Sequence, residues 1–290
     1  HNFDLSFLNS MTGQEAFDHF NQVERREAVK RHFDWRGKVD FIEHHTCHSH
    51  WALWGNCLSP EQRKDALILT GDSRGDDSNW TVSVLNDNGD IERIAGGLDN
   101  VVARIYKYAT LVLGMKPNEH EYKVMGLAPY AKNEYSIKVY NEIFKNILTV
   151  KNCKVIHKKR PKNLFNYLLQ KTNKYRFDNI AGAVQILVEN ISAELFYQIY
   201  KKYKITNFAL SGGVSMNIKM NKKLSELKFL KKLYVSPCGT DDSLSIGACY
   251  FLSKQESPKL LKNIYLGQNL YENNINLKLL KSKFNLRHFK

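Results

Sequence analysis

The sequence predicts an α/β protein. Two continuous apolar runs, residues 66–70 (ALILT) and 208–210 (FAL), each lead into a glycine-containing turn and read as buried strands. Between them, residues 179–203 place Ile180, Val184, Leu187, Val188, Ile191 and Leu195 on one helical face. Strands alternating with helices in this way build layered α/β folds.

Each element follows from its local pattern. Residues 11–33 read as a polar amphipathic helix, and residues 38–42 as a short strand leading into a histidine-rich segment. The run at 66–70 is bounded by charge and by Gly71. Residues 80–85 and 91–94 flank Asn86-Asp87-Asn88-Gly89, a strong hairpin signal. Residues 100–113 and 134–148 are helical by period. Residues 151–178 are basic with weak periodicity and read as an insertion or a mobile excursion. After the helix at 179–203 and the strand at 208–210 come a Gly turn, a helix from about Asn217, a strand at 232–235, an Asp-rich turn and a small-residue helix at 243–252. From Ser257 the tail changes register.

The chain has 290 residues, of which 43% are apolar and 25% charged, an ordinary globular balance. No window approaches the roughly 18–20 consecutive apolar residues of a membrane span, and the start, His1-Asn2-Phe3-Asp4, has no basic segment followed by an apolar run. Five cysteines without CxxC spacing argue against a disulfide framework or a cysteine zinc site. A reducing, cytoplasmic setting without membrane contact is therefore expected. The net charge of +14 suits anionic ligands, and equally a lysine-rich solvated surface. The densest basic stretch, residues 154–162, has no interleaved aromatics, so nucleic acid is not the expected partner.

Five segments carry chemistry. In Glu43-His44-His45-Thr46-Cys47-His48, His44 and His48 are four apart; on a helix they share a face and suit one metal, or they are satisfied or surface histidines. Asp72-Ser73-Arg74-Gly75-Asp76 follows the first apolar run and reads as a phosphate- or metal-binding turn, or as a plain polar one. Leu210-Ser211-Gly212-Gly213-Val214-Ser215-Met216-Asn217 joins a strand to a helix through two glycines. It suits an anion at a helix N-terminus, or a structural turn, and is neither a Walker loop nor GxGxxG. Asp241-Asp242-Ser243 precedes a small-residue helix, as an N-cap or as a carboxylate offered to a metal or nucleotide. Composition explains little of residues 114–130, a polar, charged loop leading into an apolar Met-Gly-Leu-Ala segment, which could be a turn between helices.

In this order the five segments resemble the carbamoyltransferase family that includes nodulation and antibiotic-tailoring enzymes. That pattern runs HHxxHA, DGxGD, GEYKVMGLAPYG, LSGGVxxN and GDxGxALGAA, and it matches this chain over about residues 40–254, with residues 121–130 the most specific part. The resemblance implies an actin-like ATPase (ASKHA) fold of two α/β lobes, shared with sugar kinases and tRNA threonylcarbamoyl-transfer proteins. It implies residues 1–64 as the remainder of an incomplete first lobe, 65–256 as the second lobe, and 257–290 as a linker and the start of a carbamoyl-adenylate synthase-like domain.

The implied chemistry is transfer of a carbamoyl group, made from carbamoyl phosphate and ATP as carbamoyl-adenylate in that further domain, to a hydroxyl of a sugar or secondary metabolite. The implied metal ligands are His44, His48, Asp72 and Asp241, with Fe(II) first and Mn or Zn as alternatives. Ser211, Gly212, Gly213, Val214 and Asn217, with Lys123, Gly75 and Asp76, are the expected contacts to ATP or carbamoyl-adenylate. His45 is the first choice for the group that accepts the hydroxyl proton. Departures from the pattern, such as Ser73 and Arg74 in the DGxGD segment and the glycines lost from the GDxGxALGAA stretch, bear on activity more than on fold. Threonylcarbamoyl transfer to tRNA and a non-catalytic nucleotide-binding module are the rival readings.

Overall fold

The computed structural model describes residues 23–55, 58–253 and 264. The expected tail domain from residue 257, apart from Ile264, and residues 11–22 of the first expected helix lie outside them. The elements are α1 (Arg25–Phe33), α2 (His44–Trp54), α3 (Pro60–Lys64), β1 (Ala66–Gly71), β2 (Trp80–Leu85), β3 (Ile91–Gly97), α4 (Val102–Val112), α5 (Glu121–Leu127) and α6 (Asn133–Val139). There follow β4 (Leu148–Lys151), β5 (Lys154–His157), α7 (Leu164–Thr172), α8 (Phe177–Tyr203), β6 (Asn207–Ser211), α9 (Ile218–Ser225), β7 (Lys232–Val235) and α10 (Leu244–Leu252).

The main sheet is mixed, in the order β3-β2-β1-β6-β7. β1, β2 and β3 form an antiparallel meander, while β6 pairs parallel with both β1 and β7. The meander turns at Asn86–Asp90, where the Asn86 side chain accepts from the backbone of Asn88 and Asp90 and Gly89 takes φ +82°. A bulge at Val82/Ser83 lets β3 run on to Gly97, past the expected end at residue 94.

β1 and β6 are covered on both faces, which is why their sequences are continuous apolar runs rather than alternating ones. Leu67, Phe208 and Leu210 enter the larger core with α4 and α8, where Phe208 stacks on Phe196 at 4.4 Å. Ala66, Ile68 and Ala209 point the other way, into a smaller core with Ala52 and Leu53 of α2. The two-residue period continues past the apolar part. Thr70 therefore follows Ile68, and Ser211 follows Ala209, onto the face that α2 covers. They are direct partners across the parallel pair.

Three expectations are corrected. Residues 38–42 form no strand; they are mostly exposed, and the apolar alternation there is too short to compete for a place in the sheet. Residues 151–178 are no excursion. β4 and β5 close a hairpin through Asn152 and Cys153, both at positive φ as a two-residue type I′ turn requires, and α7 follows. Cys153, Val155 and Leu168 join the larger core from this lysine-rich stretch. The helix expected over 134–148 ends early: α6 passes into a short π-helical segment, Tyr140–Phe144, before β4.

Candidate metal centre and cleft

The site is built where β1 and β6 end side by side, the usual ligand position in open α/β sheets. The loop after β1 carries Asp72, and the loop after β6 carries Gly212 and Gly213. Gly212 has φ +88°, and a β-carbon there would overlap the Gly71 backbone. Its glycine is thus required by the close approach of the two loops to each other. Gly213 then donates its N–H to Asp72 Oδ2 at 2.9 Å, and Ser73 N–H donates to Asp72 Oδ1 at 3.1 Å.

α2 delivers the histidines. Glu43 caps it, accepting from the N–H groups of His45 and Thr46, and Asp76 accepts from His44 N–H at 2.9 Å. Arg93 on β3 bridges Glu43 and Asp77, fastening the helix start to the loop after β1. His45 and His48 are three apart and meet the partnered Thr70 and Ser211. His45 Nδ1 lies 2.8 Å from Thr70 Oγ1, and His48 Nδ1 lies 3.2 Å from Ser211 Oγ.

Asp241 arrives from the opposite side. β7 runs parallel to β6, and the turn after it is held by Trp51 of α2, whose indole N–H donates to the Pro237 carbonyl at 2.9 Å. Asp241 then opens the short 3-10 segment before α10.

The imidazole Nε2 atoms of His44 and His48 are buried and have no hydrogen-bond partner. They face two carboxylates. His48 Nε2 is 3.3 Å from Asp72 Oδ2 and 3.7 Å from Asp241 Oδ1; His44 Nε2 is 3.8 Å and 3.7 Å from the same atoms. One ligand atom from each of the four residues lies within 4.8 Å of the others. Two orphaned imidazole nitrogens opposite two carboxylates fit a divalent metal with imidazole and carboxylate ligands. Burial works to hold the Asp72 carboxyl up, but the His44 and His48 side chains and the Gly213 N–H outweigh it, leaving Asp72 well below the usual carboxylate range. For His48, burial works against the charge, yet the Asp241 and Asp72 carboxylates raise it above the ordinary imidazole value.

His45 differs from both. It is fully buried, and its Nε2 lies 3.0 Å from the Ser78 carbonyl. That carbonyl only accepts, so Nε2 carries the proton and Nδ1 accepts from the Thr70 hydroxyl, which in turn lies 2.6 Å from Thr81 Oγ1. A single neutral tautomer satisfies the whole group. Burial first, then the neighbouring His44 and His48, push the His45 value down to about 4.

Beside the centre opens a cleft of about 1020 Å³. Of the residues expected to contact nucleotide, Gly75, Asp76, Gly213, Val214 and Asn217 line it. Ser211 and Gly212 lie beneath, engaged with His48 and Gly71 respectively. α5 turns Glu121, Tyr122 and Met125 toward the cleft, while Lys123 is exposed outside the lining, its ammonium 5.8 Å from the Tyr122 ring centroid. Sequence reasoning gave no role to Thr70, Ser78 or Gln185: Thr70 and Gln185 stood out only as polar residues in an apolar and a helical run, and Ser78 lies in a polar loop with no signal at all. Among the described residues, no helix is long and apolar enough to cross a membrane, and Cys47, Cys153, Cys238 and Cys249 are free.

Comparison with known proteins adds the following. Residues 10–250 match the family model for the carbamoyltransferase N-terminus. An uncharacterized protein of Methanocaldococcus jannaschii, MJ1058, is 28% identical over 92% of this chain and 48% of its own length. The nodulation protein NolNO of Sinorhizobium fredii is 23% identical over 80% of this chain and 34% of its own. The chain thus spans about half the length, or less, of these curated relatives. Among solved structures, full-length HypF in a phosphate- and nucleotide-bound form is 14% identical with a TM-score of 0.44, covering 79% of this chain and 38% of that one. HypF of T. kodakarensis is 16% identical with a TM-score of 0.43, over 81% and 39%.

Proposed function

The chain belongs to the carbamoyltransferase N-terminal family, and from that premise we propose that its cleft performs the transfer half of an ATP-dependent O-carbamoylation. The carbamoyl group arrives as carbamoyl-adenylate, made from carbamoyl phosphate and ATP by a further domain. The acceptor is a hydroxyl of a sugar or secondary metabolite. In the transfer, the acceptor oxygen bonds to the carbamoyl carbon, the bond from that carbon to the phosphate oxygen breaks, AMP leaves with the electron pair, and a base takes the hydroxyl proton.

One observation carries this reading: His44, His48, Asp72 and Asp241 converge within 4.8 Å, and three of them stand on the wall of the cleft that Gly213, Val214 and Asn217 also line. When bound there, a divalent ion, Fe(II) first and Mn or Zn otherwise, supplies Lewis acidity toward carbonyl and phosphate oxygens. The chain does the rest. Gly213 N–H fixes the Asp72 carboxylate so that its charge faces both imidazoles. Gly75, Asp76, Val214 and Asn217 form the wall assigned to the adenylate. His45 has no ring nitrogen open to a hydroxyl, so we assign it a positioning role, tying the loop after β1 to the strand. The order β3-β2-β1-β6-β7, an antiparallel meander followed by two parallel strands, supports the actin-like assignment. The free thiols suit a reducing, cytoplasmic setting.

The test supplies the chain with carbamoyl phosphate, ATP, a separately prepared carbamoyl-adenylate-forming domain and a panel of sugar and metabolite acceptors. Carbamoylated product, detected by mass, is expected only when that domain is present. Robust product from the chain alone contradicts the division of labour. No product with any acceptor, from a chain that holds metal and nucleotide, favours a non-catalytic module.

A further inference from the structure

We propose that Met216 is a positioning residue for Asp241: its thioether, reached by the Gly239 N–H, sets that carboxylate across from the two histidines. The inference rests on the metal-centre reading above and deepens it.

Asp241 is the least anchored of the four ligands. Its side chain is 69% exposed, against 15% for Asp72, 11% for His44 and 0% for His48. Asp72 is fixed by the N–H groups of Gly213 and Ser73. Among the described residues, no donor outside the centre reaches the Asp241 carboxylate. Its place is therefore set by the turn that carries it, residues 236–240.

Hydrogen bonds tie that turn to other elements at three points among the described residues. Ser236 donates both its N–H and its hydroxyl to the Leu210 carbonyl, each at 2.9 Å. Trp51 donates to the Pro237 carbonyl. Cys238 then takes φ +54°, a left-handed conformation uncommon outside glycine. Next, the Gly239 N–H donates to Met216 Sδ at 3.2 Å. This last tie is the one nearest Asp241 in the chain. Gly239 is buried, and a β-carbon on it would stand 2.6 Å from Ser215 Oγ, so the turn lies close against the loop after β6.

Met216 is well placed to hold it. It ends the 3-10 segment Gly213–Met216. There the Ser215 N–H and hydroxyl both donate to the Gly212 carbonyl, and Asn221 of α9 donates to the Ser215 carbonyl at 2.7 Å. A thioether is a weak acceptor. Its loss still leaves a buried N–H unpaired, which a turn relieves by shifting toward water. Such a shift carries Asp241 with it and withdraws one of the two carboxylates from the centre.

The experiment measures metal affinity of the 290-residue protein by competition with a chromophoric chelator, using Fe(II) without oxygen, Mn(II) and Zn(II). Met216→Leu keeps the apolar bulk and removes the acceptor. Its affinity is expected to fall about tenfold, the scale seen when a group that orients a metal ligand is lost. Met216→Gln supplies a carbonyl oxygen on a side chain of similar length and is expected to stay within about threefold of wild type. A packing role predicts the reverse order, with leucine tolerated and glutamine harmful. Met216 is 43% exposed, and Met216→Ala reads out the same loss should the leucine variant not fold. In an Asp241→Ala background, Met216→Leu is expected to change affinity by less than about twofold, because no carboxylate remains to be placed. Wild-type affinity in Met216→Leu, or the same tenfold loss in both backgrounds, overturns this inference and leaves the metal centre standing. A wild-type protein that binds none of the three ions overturns the metal centre and this inference with it.

Discussion

Gly247 of α10 lies so close to the backbone carbonyl of Cys47 on α2 that a β-carbon at position 247 would overlap it. The two helices share an extensive packed face. One carries His44 and His48, and the other is preceded by Asp241, so their separation sets the span of the metal centre. Gly247→Ala is expected to force them apart, destabilising the protein by about 1–3 kcal/mol, as overpacking does, and lowering metal content as Asp241 withdraws. Urea denaturation together with metal analysis checks both. A stable variant with full metal content contradicts this coupling.

Gly212 has a structural duty that precedes any ligand. Its φ of +88° and its contact with Gly71 make Gly212→Ala costly, by about 2 kcal/mol or more. Denaturation midpoints measure this, and a near-neutral substitution would show that the two loops tolerate separation. Nucleotide contact is better tested at Val214 or Asn217, which line the cleft.

These two glycines also mark what the sequence can disclose. The apolar runs of β1 and β6 were legible because both faces of each strand are buried, which erases alternation. The His44/His48 spacing was legible because a helix places residues four apart on one face. The matching of His45 and His48 to Thr70 and Ser211 was not, since it depends on the register between strands 141 residues apart in the chain. Gln185 was hidden for a similar reason: a polar residue on a long helix shows its partners only once Tyr106 and Asn217 are beside it. The β4–β5 hairpin was masked by its lysines, because only Val150, Val155 and a few neighbours tie it to the core.

Thr70→Val should separate the positioning network from the metal ligands. It removes the hydroxyl that donates to His45 Nδ1 and leaves a buried imidazole nitrogen unpaired, at a cost of about 1–3 kcal/mol. The Thr70 hydroxyl bonds to His45 and Thr81 and to none of the four ligands, so metal content should hold while stability falls. Loss of metal at unchanged stability would reverse the assignment.

Removing the metal should destabilise the protein, since the four ligands come from three separate stretches of chain that it would bind together. At metal concentrations about a hundred times its dissociation constant, binding contributes about 2.7 kcal/mol, so a chelator is expected to lower Tm by roughly 5–10 °C. Restoring Fe(II), Mn or Zn should recover it, and calorimetric scans give the shift. A Tm indifferent to chelator and metal alike contradicts a bound ion.

The most direct measurement is metal analysis of protein purified without chelator, wild type beside the His44→Ala/His48→Ala double variant. About one ion per chain is expected in the wild type, as one imidazole–carboxylate centre implies, and almost none in a double variant that remains folded. Undiminished metal in that variant would place the ion elsewhere and contradict the centre on which the carbamoyl-transfer reading depends.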